Sequence, residues 1–297
     1  MHAWKEHTLQ VNGHEMAWFE IGTGPTLVCL HGSWDHLLYR PMGELFAQKY
    51  RCILYDQRGS GQSKLLESGE GAMDIKKFTQ DLDALRDHLG LDKMALLGHS
   101  WGSGLGLLYA QAYPDRLSHL ILVGPGPLNS EMSSCYRANR DRMAYPTSPE
   151  EFAAIRQSYD KARFETGVVP REIDAALIRV WARVIFYSRE TAGQFIDFYL
   201  NCGGYLRHAE SPTNFKHEMQ LADADRITAP TIVVYGYQDY EPITQAYLIK
   251  EKIPQTEIAF LNQCGHATWV DQPEEYFKVV DTFLSKEGVK RETDFLT

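Results

Sequence analysis

Ser100 stands in Gly98-His-Ser-Trp-Gly102, between a short apolar run and a helix-like segment. A serine held there in a tight, strained turn has its Oγ lifted clear of the backbone, and small residues must flank it two positions away on each side. A serine hydroxyl is a poor nucleophile at neutral pH and needs a positioned base. Nucleophile turns of this type take their partners in the chain order Ser, acid, His. Among the eleven histidines, His266 in Cys264-Gly-His266 follows the last apolar run and is the expected base. Its acid should follow the preceding strand: Asp239, in Tyr235-Gly-Tyr-Gln-Asp239, has that place, with Glu241 as the fallback. Asp223 and Asp225 precede that run and are poorly placed. Attack on a carbonyl also requires N–H donors for the developing oxyanion. The backbone N–H of Trp101 is one candidate; Ser33, after His31-Gly32, is the other, with Trp34 beside it as a further candidate donor and substrate contact.

Elements able to position these residues are legible in the surrounding chain. Segments 3–11 and 14–21 flank Asn12-Gly13, a pair suited to a hairpin turn. The runs 26–30, 52–55, 94–97, 120–123 and 231–235 are short apolar runs, as expected of strands covered on both faces, and 257–261 reads as a further strand. Ile75, Phe78, Leu82, Leu85 and Leu89 recur at helical spacing before Gly90. Further helices are expected at 101–113, near 243–252 and after Pro273. Such alternation implies right-handed strand–helix–strand crossovers and a mostly parallel sheet. The rhythm breaks at Gly124-Pro-Gly-Pro127, and 128–218 is helical and aromatic. The expected organisation is a core of 1–127 and 219–297 carrying a helical lid, 128–218. Trp181, Phe186, Tyr187, Phe195, Phe198, Tyr199 and Tyr205 should mainly pack the lid's own core.

Bulk properties narrow the possibilities. The 297 residues are 44% hydrophobic and 23% charged, with a net charge of -9, which disfavours nucleic-acid binding and mildly disfavours anionic substrates. The start of the chain lacks the apolar run of a signal peptide, and no stretch approaches the ~18 apolar residues of a membrane span. Five scattered cysteines, Cys29, Cys52, Cys135, Cys202 and Cys264, read as reduced thiols, so a cytoplasmic location is expected. His217-Glu218 lacks a second histidine one turn on, no cysteines have zinc-ligand spacing, and Gly22-Thr-Gly24 precedes a strand. No metal or cofactor is expected.

Together these residues resemble the α/β-hydrolases and, within them, the proline iminopeptidases. The loop Tyr55-Asp-Gln-Arg-Gly-Ser-Gly-Gln-Ser63 is the most specific element of the resemblance, and Gly98-His-Ser-Trp-Gly-Ser103 is similar too. The resemblance covers about 15–125 and 226–285. It implies an α/β-hydrolase fold with an inserted helical cap, and release of an N-terminal residue, usually proline, from short peptides. It also implies acidic residues for the substrate's ammonium, one in the lid and one directly after the catalytic aspartate. Here Tyr240 follows Asp239, with Glu241 next; Glu210 and Glu190 are candidate lid partners. The His-Gly-Gly-Pro-Gly usual in that group is replaced by His31-Gly-Ser-Trp-Asp35. The expected function is therefore a serine hydrolase acting on a small-molecule or short-peptide substrate. An esterase, lactonase or amidase is the alternative, and a slow-turnover ligand-binding or signalling protein of the same fold is a third possibility.

Overall fold

The computed structural model describes residues 3–69, 71–166, 169–201 and 212–286. A hairpin opens the chain, β1 (Lys5–Val11) pairing antiparallel with β2 (His14–Ile21). Asn12 and Gly13, at φ 43° and 78°, supply the left-handed turn that matches strand twist. Then follow β3 (Thr26–Leu30), α1 (Arg40–Phe46), β4 (Arg51–Tyr55), the two-residue β5 (Lys64–Leu65), α2 (Ile75–His88), β6 (Met94–His99), α3 (Trp101–Ala112) and β7 (Leu117–Val123). After a helical stretch come β8 (Thr231–Gly236), α8 (Gln245–Lys252), β9 (Glu257–Leu261), α9 (Thr268–Asp271) and α10 (Pro273–Leu284).

The sheet order is β1-β2-β4-β3-β6-β7-β8-β9, with β5 beside β2. From β4 to β9 every pairing is parallel. Alternate strand residues feed two apolar layers, which is why these strands read as unbroken hydrophobic runs. Leu27, Cys29, Leu54, Leu97, Ile121 and Val234 join one layer with Met42 and Phe46 of α1 and Tyr276 and Val280 of α10. Val28, Leu30, Ile53, Leu96, Leu122 and Val233 join the other with α2, α3 and α8. Short strands absent from the sequence expectation, such as β5, and the short helices α1 and α9 carry too few residues for periodicity to reveal them.

Between β7 and β8 lie α4 (Ser130–Met143), α5 (Pro149–Thr166), α6 (Arg171–Ile185) and α7 (Arg189–Asn201). Phe186, Phe195 and Tyr199 pack inside this group, whereas Tyr187 and Phe198 are exposed and Tyr205 lies outside the described residues. Cys29, Cys52 and Cys264 are buried free thiols, Cys135 is an exposed one, and Cys202 lies outside the described residues. Among the described residues, no helix is long and apolar enough to cross a membrane.

Candidate active site

The C-terminal ends of β6, β8 and β9 converge on a cavity of about 900 Å³, roofed by the helices between β7 and β8. Ser100 sits between β6 and α3 at φ 55°, ψ -122°, a conformation that costs a non-glycine residue energy and persists only where its surroundings enforce it. The enforcement is visible. Ser100 N–H donates to Val123 O (2.9 Å), and Ser103 Oγ donates to Gly98 O (2.7 Å), closing the turn from beneath. A Cβ at Gly98 would collide with Gly102 O, and one at Gly102 with Leu30 O. The two flanking glycines are thus steric requirements.

His266 leaves the loop after β9 and places Nδ1 at 2.9 and 3.0 Å from the two carboxylate oxygens of Asp239, which follows β8. Nδ1–H donates to the carboxylate, so Nε2 carries the free lone pair. That Nε2 is buried without a hydrogen-bond partner among the described residues, and His266 and Ser100 line the same cavity. Backbone contacts fix both partners: Glu241 N–H donates to Asp239 Oδ1 (2.9 Å), and His266 N–H donates to Ile185 O (2.7 Å) at the end of α6. Gly124, at φ 49°, clears the pair, since a Cβ there would lie 2.9 Å from His266 Nδ1 and 3.0 Å from Asp239 Oδ2. The glycine that marked the break in the strand rhythm therefore also makes room for an imidazole.

A second buried network ties the β3 loop to the serine turn. Gly32 N–H donates to Tyr39 Oη (2.7 Å), Tyr39 O–H donates to His99 Nδ1 (2.8 Å), and His99 Nε2–H donates to His266 O (3.0 Å). Burial, and then the neighbouring His266, holds the His99 imidazole well below its ordinary pKa, so the relay stays neutral. Because Gly32 N–H is engaged, the next N–H along the loop is that of Ser33. It donates to no protein acceptor among the described residues, and Ser33 is exposed to the cavity. Trp101 opens α3, where a backbone N–H has no intrahelical acceptor.

The loop Tyr55–Ser63 braces this arrangement. Gln57 accepts from Trp101 Nε1 (2.9 Å) and donates to His31 O (2.7 Å), joining the ends of β3 and the serine turn. Asp56 accepts from His36 N and Gln62 N (2.9 and 2.7 Å). Buried Arg58 pairs with Asp81 at 2.9 Å and donates to Asn12 O at the hairpin turn.

Trp34, Trp181, Tyr136 and Tyr240 form the aromatic wall, with Tyr240 4.6 Å from the His266 ring centroid and Trp34 edge-on to Trp181 at 6.4 Å. Glu241 lines the cavity at 3% exposure. Burial, then repulsion from Asp239, pushes its carboxyl well above the ordinary glutamate range, and Oε2 has no partner among the described residues. Glu190 instead lies exposed in the first turn of α7, outside the cavity lining, and Glu210 lies outside the described residues. Among the described residues between β7 and β8, the carboxylate that lines the cavity is Asp160 of α5, which no sequence pattern singled out. Among the described residues no group of acidic, histidine and cysteine side chains is arranged to hold a metal ion.

Comparison with known proteins agrees with this architecture. Residues 25–273 match the alpha/beta hydrolase fold family model, and the chain belongs to that family. Its relatives include several proline iminopeptidases. That of Lactobacillus helveticus is 28% identical over 280 residues, covering 88% of this chain and 90% of the relative. A cis-3-alkyl-4-alkyloxetan-2-one decarboxylase of Shewanella oneidensis is 24% identical, covering 95% and 89%. Among solved structures, an alpha/beta fold family hydrolase from Bacillus anthracis superposes with a TM-score of 0.71 at 20% identity, covering 94% of this chain and 99% of that one. Family and relatives together support hydrolase activity.

Proposed function

We propose that the protein is a serine hydrolase that works through an acyl-enzyme on small substrates, with a proline iminopeptidase-like preference for short peptides bearing a free N-terminal amine. The observation that carries this reading is the geometry at His266, whose Nε2 lone pair is unsatisfied beside a serine held in a strained turn, with Asp239 bonded behind it. Ser100 Oγ passes its proton to Nε2 as it attacks the carbonyl carbon. The N–H groups of Trp101 and Ser33 receive the oxyanion, and the Asp239 carboxylate stabilises the imidazolium. His266 then protonates the leaving amine. Water, giving a proton to the same Nε2, attacks the acyl carbon and releases the acid. The helices of 128–218 act as the lid and the aromatic wall as its substrate face.

Glu241 supports the amine preference: an unpaired carboxyl oxygen in an aromatic cavity is a partner for an ammonium group. A second reading, hydrolysis of an ester, lactone or neutral amide, is favoured by Tyr240, whose ring occupies the place next to Asp239 where the peptidases carry a glutamate. Turnover of a prolyl arylamide, its N-acetyl twin and a short-chain aryl ester separates the two. Cleavage restricted to the free-amine compound supports the peptidase. Cleavage of the ester alone, or indifference to acetylation, assigns the second reading.

A further inference from the structure

The lid side of the cavity is cationic. Arg137 and Arg140, three residues apart on α4, line it together with Arg156 of α5. Among the described residues the carboxylates lining the cavity are Asp160 and Glu241, two against three guanidiniums, and burial disfavours the charged form of the second. This local excess of positive charge runs against a chain whose net charge is -9. Mean charge therefore misleads here, because a ligand in a cleft responds to the groups that face it.

The three guanidiniums are held differently. Arg140 donates from Nε and Nη2 to Asp141 (2.9 and 2.7 Å), and its guanidinium lies over Tyr136 and Phe152 at 5.7 and 5.2 Å. Arg156 reaches Asp160 at 3.2 Å. Arg137 donates from Nη2 to Ser134 Oγ (3.0 Å) and has no carboxylate within ion-pair distance among the described residues. Arg137 therefore lines the cavity with a guanidinium that no carboxylate engages among the described residues, flanked by two that are already anchored. A planar donor fork of this kind matches a carboxylate in charge and shape.

We propose that Arg137, Arg140 and Arg156 form a carboxylate subsite, so that the substrates are short molecules carrying a carboxylate at the end remote from the scissile carbonyl. This rests on the Ser100 reading given above; within its peptidase form, the class is di- or tripeptides with a free C-terminus. The cavity volume of about 900 Å³ accommodates molecules of that size.

The test uses 3-(4-acetoxyphenyl)propanoic acid and its primary amide, two aryl acetates that need no amine and differ only in the remote carboxylate, which sits on the leaving group as a peptide's C-terminus does. Wild type should favour the acid in kcat/KM by about tenfold or more, mostly through KM, with the advantage shrinking as salt is raised. In Arg137→Gln, and further in Arg137→Gln/Arg140→Gln, the ratio should fall toward one. Calorimetric titration of both esters into Ser100→Ala protein reads binding without turnover. Tighter binding of the acid supports the subsite; equal binding and equal turnover overturn it and leave the hydrolase reading intact. Preferential binding of the acid with no turnover by wild type would keep the subsite and remove Ser100 as nucleophile.

Discussion

The cavity has two unlike walls. On the sheet side, Ser100, His266, Asp239, His99 and Gln57 are all buried and joined by hydrogen bonds that cross from strand end to strand end. On the lid side, α4 buries none of its residues, and its polar contacts are local, Arg140 with Asp141 and Arg137 with Ser134. Moving one group in the sheet wall leaves buried donors or acceptors without partners, each costing about 1–3 kcal/mol. Moving a charged group of α4, already open to solvent, costs little. The proposed chemistry thus falls on the half that resists change, and the proposed selectivity on the half that tolerates it.

This contrast can be broken most directly at Ser100. Ser100→Ala should lower kcat by ~10³-fold or more with the thermal transition little changed, because alanine fits the same turn. Retained turnover of the same substrate would move the nucleophile elsewhere. A smaller effect is expected from Tyr39→Phe. It deprives Gly32 N–H and His99 Nδ1 of their shared partner, so stability should drop by about 1–3 kcal/mol, and kcat by ~10-fold through a loosened β3 loop, with KM nearly constant. If urea denaturation shifts while kcat holds, the relay is structural only.

The smallest effect concerns pH. Glu241 has its carboxyl pKa raised by burial, so the native state binds a proton that the unfolded chain releases above the ordinary glutamate pKa. Stability from this group is present at low pH and is lost as pH rises from that ordinary value through the raised one. Glu241→Gln should flatten this component, gaining stability relative to wild type as pH rises. Parallel urea midpoints for the two proteins across that range would contradict the buried-carboxyl account.

Much of the sheet wall was legible because its signals are local. Gly98-His-Ser-Trp-Gly102 encodes a turn through steric exclusion within five residues, and each apolar run marks a doubly covered strand. Asp239 and His266 were expected from chain order and from their places just past two apolar runs, and the structure sets them 2.9 Å apart. What escaped was long-range: Tyr39 bridges residues 32 and 99, Gly124 makes way for residues 239 and 266, and Gln57 joins 31 to 101. No periodicity within one element announces such contacts. The lid resisted for another reason. Its helices are amphipathic against one another, so spacing reveals a buried face but not which polar residue looks into the cavity, and Asp160 and the arginines could not be told from solvated charges. The same gap led to Glu190, which lies on an outward turn.

The bond from His266 N–H to Ile185 O has a bearing on how such a protein can be remodelled. Gly265 N–H and Tyr187 N–H share Asp271 Oδ2 at 2.8 and 3.0 Å, so the same stretch is tied a second time, through α9, to the loop that carries His266. The end of α6 is therefore tied to the His266 loop. A chain shortened by cutting out 128–218 would also lose the acceptor that orients the imidazole loop. New lids can be grafted only between ends that preserve the 185–187 foothold, and sequence drift should be freest farthest from it.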